Sequence, residues 1–254
     1  MLLAIDIGNT NITLGVYDEQ VLRFTSRLAT DNMTTSDQYA IYIKNILEIH
    51  KCERNCIEDC IIASVVPTVC SSLKKAVSFL FDIVPLELGP GVKTGLNIKI
   101  DNPAQLGADL VAGAVGAINE YTLPCIVIDM GTATTLSVID ENATYRGGVI
   151  AAGVRLTLKA LTENTAALPS VPISAPRNVI GTNTVDCMQS GLVFGAAAML
   201  DGLIDKISLQ LGAVPTVVAT GGLSHEIVCH CTHDIIYNEN LLLEGLREIY
   251  ERNK

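Results

Sequence analysis

The stretch AIDIGNTNITLGVYDEQ, residues 4–20, has a near copy in VIDMGTATTLSVIDE, residues 127–141. In each copy an apolar run ends in Asp and Gly, and small polar residues separate it from a second apolar run. Ile5–Gly8 aligns with Ile128–Gly131, and a single-residue gap in the turn brings the second runs into register. Apolar runs on either side of a small polar turn are typical of β-hairpins. The repeat has two explanations: duplication of a larger unit, or convergence of two hairpins on similar turns.

The elements around the two hairpins favour duplication. In each half, the apolar periodicity predicts a third strand after the hairpin and then alternating helices and strands. We therefore predict an α/β protein of two domains, residues 1–118 and 119–254, each with a mixed five-stranded sheet and flanking helices. The two facing hairpin turns would then form a cleft for one ligand. The predicted segments are strands at 2–7, 12–17, 21–28, 60–66, 83–88, 124–130, 134–140, 144–153, 216–222 and 234–238, and helices at 34–50, 67–81, 103–121, 154–166, 184–211 and 240–252.

Composition narrows the range of partners. The formal net charge is −10, and no stripe of Lys or Arg is present, so a nucleic-acid partner is disfavoured. The apolar stretches are shorter than the roughly 20 residues that a membrane-spanning helix needs. The beginning MLLAID has no basic region and is interpreted as the first strand, so the default expectation is a cytoplasmic protein.

Eight cysteines raise the question of disulfides or a metal site. Three of them recur in KCERNCIEDC, residues 51–60, where they either stack on a helix face or spread through a turn. Two more lie with three histidines in HEIVCHCTH, residues 225–233. Zinc sites usually draw on two separated ligand pairs, and this segment has no second pair. Buried or incidental thiols are therefore favoured over a metal site.

The two hairpin turns carry the chemistry. Gly lets a backbone turn sharply and approach a phosphate, and Thr, Asn and backbone N–H groups donate to phosphoryl oxygens. Asp6 and Asp129 are placed to hold a hard cation, directly or through water. One such turn alone would be interpreted as an ordinary Asx turn, but the duplicated pair predicts binding of nucleotide phosphates. Neither a P-loop nor a GxGxxG motif is present.

These duplicated phosphate hairpins resemble those of the actin-like ATPase superfamily, which includes sugar kinases and acetate kinase. The motifs in the rest of the chain occur in the order found in type III pantothenate kinases, and this resemblance covers essentially the whole chain. It implies two ribonuclease H-like domains, a homodimer, and transfer of the ATP γ-phosphoryl group to pantothenate in the first step of coenzyme A biosynthesis. The motifs are DIGNTN (6–11), NPAQLGAD (102–109), DMGTATT (129–135), GGVIAAG (147–153), GTNTVDCMQSG (181–191), ATGGL (219–223) and NENLLLEGL (238–246).

The resemblance also implies roles for particular residues. Asp109 would be the general base, Asp6 would help to hold Mg²⁺, possibly through water, and Asp129 would bind a monovalent cation, K⁺ or NH₄⁺. Without the resemblance, Asp109 could equally be a carboxylate that favours a helix N-terminus. ATP contacts are implied for Asp6, Ile7, Gly8, Asn9, Thr10, Asn11, Ile12, Thr13 and Thr132, and substrate contacts for Ile100, Gly107, Ala108, Asp109, Leu110 and Thr184.

Two positions depart from the family pattern. The family usually has Arg where this chain has Leu110, and Tyr where it has Ile100. Three hypotheses follow: another cation (Lys93, Lys99 or Arg155) replaces the Arg, with a second subunit as one source; the chain binds pantothenate more weakly or phosphorylates another hydroxyl compound; or the chain is a non-catalytic, regulatory relative. The acids that phosphoryl transfer needs are present, which argues against the third hypothesis.

Overall fold

The structure, a computed structural model, describes residues 1–254 and contains two compact units. Unit 1 comprises residues 1–96, 102–119 and 241–254, and unit 2 comprises residues 97–101 and 120–240. No helix has the length and apolar character needed to cross a membrane. The strands are β1 (Leu2–Ile7), β2 (Asn11–Asp18), β3 (Val21–Ala29), β4 (Asp59–Ser64), β5 (Leu86–Glu87), β6 (Asn97–Ile98), β7 (Cys125–Met130), β8 (Ala133–Ile139), β9 (Thr144–Ala152), β10 (Thr216–Thr220) and β11 (Ile236–Tyr237). The helices are α1 (Ser36–Ile49), α2 (Pro67–Phe81), α3 (Ala108–Glu120), α4 (Val154–Asn164), α5 (Thr184–Leu211), α6 (Ser224–Val228) and α7 (Leu241–Glu251).

Unit 1 is built on a five-stranded mixed sheet in the order β3-β2-β1-β4-β5. β1 lies antiparallel to β2 and parallel to β4. Because successive side chains of a strand point to opposite faces, the odd-numbered residues of β1 join the core formed with α1 and α2, and its even-numbered face packs against α7. This sheet confirms the predicted mixed five-stranded architecture.

Unit 2 contains a six-stranded mixed sheet in the order β11-β10-β7-β8-β9-β6, so the predicted count of five strands is wrong here by one. The additional strand is β6, which pairs with the start of β9 through Asn97 and Ile98. β6 has only two residues, too few to show the period-2 alternation by which a strand is found in a sequence. The remaining strands have the predicted order along the chain.

The two hairpins share one register. Asp6 pairs with Thr13 across the first hairpin, and Asp129 pairs with Thr135 across the second. Both first strands also have the same burial pattern, in which the Asp is half-buried and all five other residues are buried. The second turn is one residue shorter, since Met130 pairs with Thr134 and Ile7 with Ile12. The single-residue gap in the alignment is therefore confirmed.

The compact units differ from the predicted ranges 1–118 and 119–254 at two segments and, by one residue, at the boundary, since residue 119 belongs to unit 1. Residues 97–101 belong to unit 2 because β6 pairs with β9, and residues 241–254 belong to unit 1 because α7 packs on β1 and β4. The helix predicted over 103–121 begins later, at Ala108. A short 3₁₀ turn over Pro103–Gln105 precedes it.

Two glycines allow α3 and α7 to approach each other at backbone distance. A Cβ atom added to Gly245 would lie 1.8 Å from the carbonyl oxygen of Ala112, and one added to Gly116 would lie 2.4 Å from that of Leu241. Contacts this short with backbone atoms cannot be relieved by a side-chain rotation. The small residues of α3 therefore allow close packing within unit 1.

We predict that Gly245→Ala lowers the free energy of unfolding by about 3 kcal/mol, because the added methyl group forces α3 and α7 apart. The matched control is Gly202→Ala on α5, where an added Cβ atom would meet nothing within 4 Å. The control is expected to raise stability by up to about 1 kcal/mol, because Ala favours a helix over Gly. Denaturant unfolding measures both, and equal stabilities of the two variants would contradict the packing described here.

Candidate active site

The first turn, Gly8–Asn11, is held by backbone hydrogen bonds. The Gly8 N–H donates to the Asn11 carbonyl at 2.9 Å, and the Thr30 N–H donates to the Thr10 carbonyl at 2.9 Å. The Thr30 hydroxyl also donates to the Gly8 carbonyl at 2.7 Å. With these carbonyls occupied, the turn is fixed, and the exposed Asn9, Thr10 and Asn11 side chains lie at its surface.

The second turn, Gly131–Ala133, repeats this arrangement in unit 2. The Gly131 N–H donates to the Ala133 carbonyl at 3.0 Å, and the Gly153 N–H donates to the Thr132 carbonyl at 3.1 Å. Thr30 and Gly153 therefore occupy equivalent positions. Thr30 follows β3 and donates to the turn between β1 and β2, and Gly153 follows β9 and donates to the turn between β7 and β8. Thr132, the residue expected to contact ATP, is exposed at the turn.

Glycines pack directly against the second turn. A Cβ atom on Gly153 would lie 2.3 Å from the Thr132 carbonyl oxygen. A Cβ atom on Gly221 would lie 2.7 Å from Oδ1 of Asp129. Gly221 also has φ of +97°, a backbone conformation that residues with a side chain rarely adopt. Gly153 therefore allows close packing against the turn, and Gly221 allows close packing against the Asp129 carboxylate.

Asp109 lies in the first turn of α3, in unit 1. The Leu110 N–H donates to its Oδ1 at 2.8 Å. Burial raises the pKa of the Asp109 carboxyl, and backbone hydrogen bonds oppose part of this shift. A Cβ atom on Gly107 would lie 2.5 Å from the same Oδ1, so only Gly at that position leaves room for the carboxylate as it stands.

The residues expected to contact the substrate belong to both units. Gly107, Ala108, Asp109 and Leu110 lie together in unit 1, and all are half-buried. Ile100 and Thr184 lie in unit 2. Thr184 is the exposed first residue of α5, and it lines a cavity of about 350 Å³ with apolar side chains of α4 and α5. The three cations considered as replacements for Arg, namely Lys93, Lys99 and Arg155, are all exposed.

Asp6 and Asp129 are the residues expected to hold cations. No group of three or more His, Cys, Asp or Glu side chains is arranged to hold a metal ion. Mg²⁺ does not need one, since it is commonly bound by one or two carboxylates together with substrate phosphates and water. At Asp129 the structure offers a second oxygen: Oγ1 of Thr135, directly across the hairpin, is buried and has no hydrogen-bond partner. A carboxylate and a hydroxyl oxygen form a donor set that suits a hard cation.

The Cys/His segment, residues 225–233, contacts helix α5 of unit 2. The Cys231 thiol donates to the Ala197 carbonyl, and Nε2 of His233 lies 3.0 Å from Oδ1 of Asp205. Burial raises the pKa of Cys231 to about 12, which keeps it a neutral thiol. In KCERNCIEDC, the cysteines are spread over a helix end, a 3₁₀ turn and β4, and all eight cysteines are free.

Sequence reasoning missed three residues that support the turns: Thr30, Gly153 and Gly221. The motifs GGVIAAG and ATGGL contain both glycines, but the pattern shows only that Gly is present and not which backbone it faces. Thr135 lies in the motif DMGTATT, and the sequence pattern indicates no separate role for it. Its buried hydroxyl becomes visible only when the partners of each polar atom are known.

A sequence model of the type III pantothenate kinase family matches residues 2–206 of the chain. The chain belongs to the type III pantothenate kinase family. Membership confirms the family that the motifs predict, its pantothenate kinase function and its enzyme class, a phosphotransferase with an alcohol acceptor.

Two type III pantothenate kinases match the chain over its full length. The chain is 42% identical over 253 residues to the type III pantothenate kinase of Halalkalibacterium halodurans and 44% identical over 254 residues to that of Exiguobacterium sibiricum, with 100% of both chains covered in each case. Among solved structures, a Campylobacter jejuni protein described as a Baf family transcriptional activator has a TM-score of 0.62 and 21% identity, covering 99% of this chain and 98% of that one. The structural similarity concerns the fold alone.

We predict that Gly221→Ala weakens ATP binding at least about tenfold and lowers the melting temperature, because its Cβ atom would collide with Asp129 and because φ is positive. The adjacent Gly222→Ala is the matched control, since its Cβ atom would meet nothing within 4 Å. Calorimetric titration with ATP and thermal unfolding measure both effects. Unchanged ATP affinity in Gly221→Ala would contradict the positioning role.

Proposed function

We propose that this chain transfers the γ-phosphoryl group of ATP to the primary hydroxyl of pantothenate, with Asp109 as the general base. The observation that carries the proposal is a half-buried carboxylate with a raised pKa at the start of α3, in a chain that belongs to this kinase family. Asp109 has no ion-pair partner in the structure, so its charge is not already committed to a cation.

In this proposal the two turns bind the phosphates of ATP. The first turn contributes Gly8, the side chains of Asn9, Thr10 and Asn11, and Thr13 beside Asp6. The second turn contributes Thr132. An acidic protein binds a polyanion through such neutral donors together with cations, because carboxylates alone would repel it. The fixed backbone of each turn means that these donors need little reorganisation when the phosphates arrive.

Asp109 would accept the proton of the acceptor hydroxyl. The oxygen of that hydroxyl forms a bond to the γ-phosphorus, and the bond between the γ-phosphorus and the bridging oxygen breaks, which releases ADP. Phosphoryl transfer depends mostly on positioning and on charge stabilisation, so one well-oriented carboxylate is an adequate base. Burial raises the pKa of Asp109 towards the working pH, which makes the ionised carboxylate a stronger proton acceptor. The Leu110 N–H and the absence of a side chain at Gly107 orient that carboxylate.

The proposed reaction also requires two bound cations. Asp6 would hold Mg²⁺, directly or through water, and Asp129 with the Thr135 hydroxyl would hold a monovalent cation such as K⁺ or NH₄⁺. When bound, these ions neutralise charge on the phosphates. The chain's own contribution is the position of these residues: the Asp129 carboxylate lies against Gly221, and Thr135 is the cross-strand partner of Asp129.

We further propose that the protein acts as a homodimer and that it works in the cytoplasm.

We propose that the substrate contacts Gly107–Leu110, Ile100 and Thr184. The apolar cavity beside Thr184 supports a contact with an apolar part of the substrate. Leu110 and Ile100 offer no charge to a substrate carboxylate, so a cation such as Lys93, Lys99 or Arg155 would have to supply it.

We predict that Asp109→Asn reduces pantothenate-dependent ADP release by at least about 100-fold, because the amide cannot accept the hydroxyl proton. In the wild type, the rate should fall as the pH is lowered through the pKa of Asp109, which burial places above the ordinary value of about 4. A coupled ADP assay across pH measures both. Full turnover by Asp109→Asn would refute the assigned base.

The control for this variant is its stability. Because the pKa of Asp109 is higher in the folded chain than in the unfolded chain, the unfolded state releases its proton first, and stability falls as the pH rises from the ordinary pKa to the raised one. The neutral Asn avoids this loss. Asp109→Asn should therefore melt at the same or a higher temperature than the wild type at pH 7, and a clear drop would attribute its inactivity to misfolding.

We predict that Leu110→Arg lowers the KM for pantothenate about tenfold, because a guanidinium pairs with a carboxylate through charge-assisted hydrogen bonds. Leu110→Met is the uncharged control and should leave the KM close to the wild-type value. Steady-state kinetics with pantothenate as the varied substrate measures the difference. An unchanged or raised KM in Leu110→Arg would show that the carboxylate is already held by another cation or lies elsewhere.

A further inference from the structure

Unit 1 contains a cavity of about 500 Å³ between the C-terminal ends of α1 and α2. Its apolar part consists of Leu47 and Leu80, which are 3% and 5% exposed, together with the partly buried Phe81. The half-buried Cys52 adds a further wall, and burial raises the pKa of its thiol, which therefore stays neutral. This volume lies within the range of roughly 300–1,000 Å³ that is typical of small-molecule sites.

Cations line the opening of the cavity. Lys44, Lys51 and Arg54 contribute to the lining and are exposed. Lys44 lies 3.5 Å from Glu48, one turn further along α1, so its charge is partly balanced. Lys51 and Arg54 have no carboxylate within ion-pair distance, although the whole chain has a formal net charge of −10. Lys51 and Arg54 therefore place positive charge beside the apolar part of the cavity.

Lys51 is fixed in a conformation that is uncommon for a residue with a side chain. Its φ is 55°, in the left-handed region, at the position where a helix commonly ends in Gly. The Lys51 N–H donates to the Glu48 carbonyl, and the Cys52 N–H donates to the Leu47 carbonyl at 2.9 Å, so the end of α1 is closed by two hydrogen bonds. The end of α1 thus keeps Lys51 on the lining of the cavity at the cost of backbone strain.

The cavity is separate from the phosphate turn of the same unit. The 3₁₀ turn Arg54–Cys56 comes just before β4, and β4 runs parallel to β1, so it lies at the edge of the sheet where β1 begins. The turn Gly8–Asn11 follows β1 at the opposite edge. A ligand in the cavity would therefore leave the phosphate turn accessible.

We propose that this cavity binds an amphipathic monoanion: a carboxylate head that pairs with Lys51 and Arg54, and an acyl chain that lies against Leu47, Leu80 and Phe81. The carboxylates of Glu48 and Glu53 on the same lining repel a polyanion such as a nucleotide, which favours a single charge. The proposal is independent of the kinase activity, since none of these residues belongs to the turns or to the start of α3.

The probe is laurate, titrated below its micellar concentration into the full-length protein in the presence of saturating Mg²⁺ and ADP. We expect saturable one-site binding in calorimetry and chemical-shift changes at the methyl groups of Leu47 and Leu80, with none at Leu192 in unit 2. Equal binding of dodecanol or of dodecyltrimethylammonium would overturn the assigned role of the two cations. Absence of saturable binding, or shifts confined to other methyl groups, would overturn the site.

The variant Lys51→Gly, Arg54→Gln tests the same claim by removing both charges. Gly suits the left-handed position, so α1 should end as before and the melting temperature should not fall. Laurate affinity should drop at least about tenfold. The matched control is Lys75→Gln, Lys206→Gln, which changes the net charge equally at exposed positions outside the cavity and should bind laurate as the wild type does. Equal affinities in the two double variants would overturn the proposal.

Discussion

In both hairpins a carboxylate, Asp6 or Asp129, occupies the one half-buried position of an otherwise buried strand. The arrangement of the candidate site depends on the placement of these two charges. A charge so placed is costly unless hydrogen bonds or a bound cation compensate it. Each of these strands is followed directly by a turn that backbone hydrogen bonds hold in place. The proposed binding of phosphates and cations rests on this placement of a carboxylate beside a held turn.

Backbone contacts, more than side chains, maintain this geometry. Gly153 and Gly221 lie against the second turn at distances that exclude a Cβ atom, and Gly107 does the same for the Asp109 carboxylate. Gly245 and Gly116 allow α7 to approach α3, the helix that carries Asp109 in its first turn. Glycine thus lies where backbone packs closely against Asp129, Asp109 or the helix that carries Asp109, although glycine adds conformational freedom to the unfolded state.

Local patterns were sufficient to predict the hairpins, the order of the strands and the family, because each depends on neighbouring residues or on motifs that are contiguous in the sequence. The pairing of β6, the packing of α7 on the first sheet and the contacts of Gly221 join residues that are far apart in the chain, and no local period reports them. The same holds for the orphaned Thr135 hydroxyl and for the pKa of Asp109. Leu110 and Ile100 were visible as departures, but their consequence depends on where the substrate carboxylate binds.

The central claim is that the paired turns and Asp109 together make a pantothenate kinase. Its most direct test is release of ADP by the wild-type chain at saturating ATP, Mg²⁺ and K⁺, with and without pantothenate, together with mass spectrometry of the product. The account predicts ADP release that depends on pantothenate and a product heavier than pantothenate by one phosphoryl group. ADP release that does not respond to pantothenate, or no ADP release at all, would contradict it.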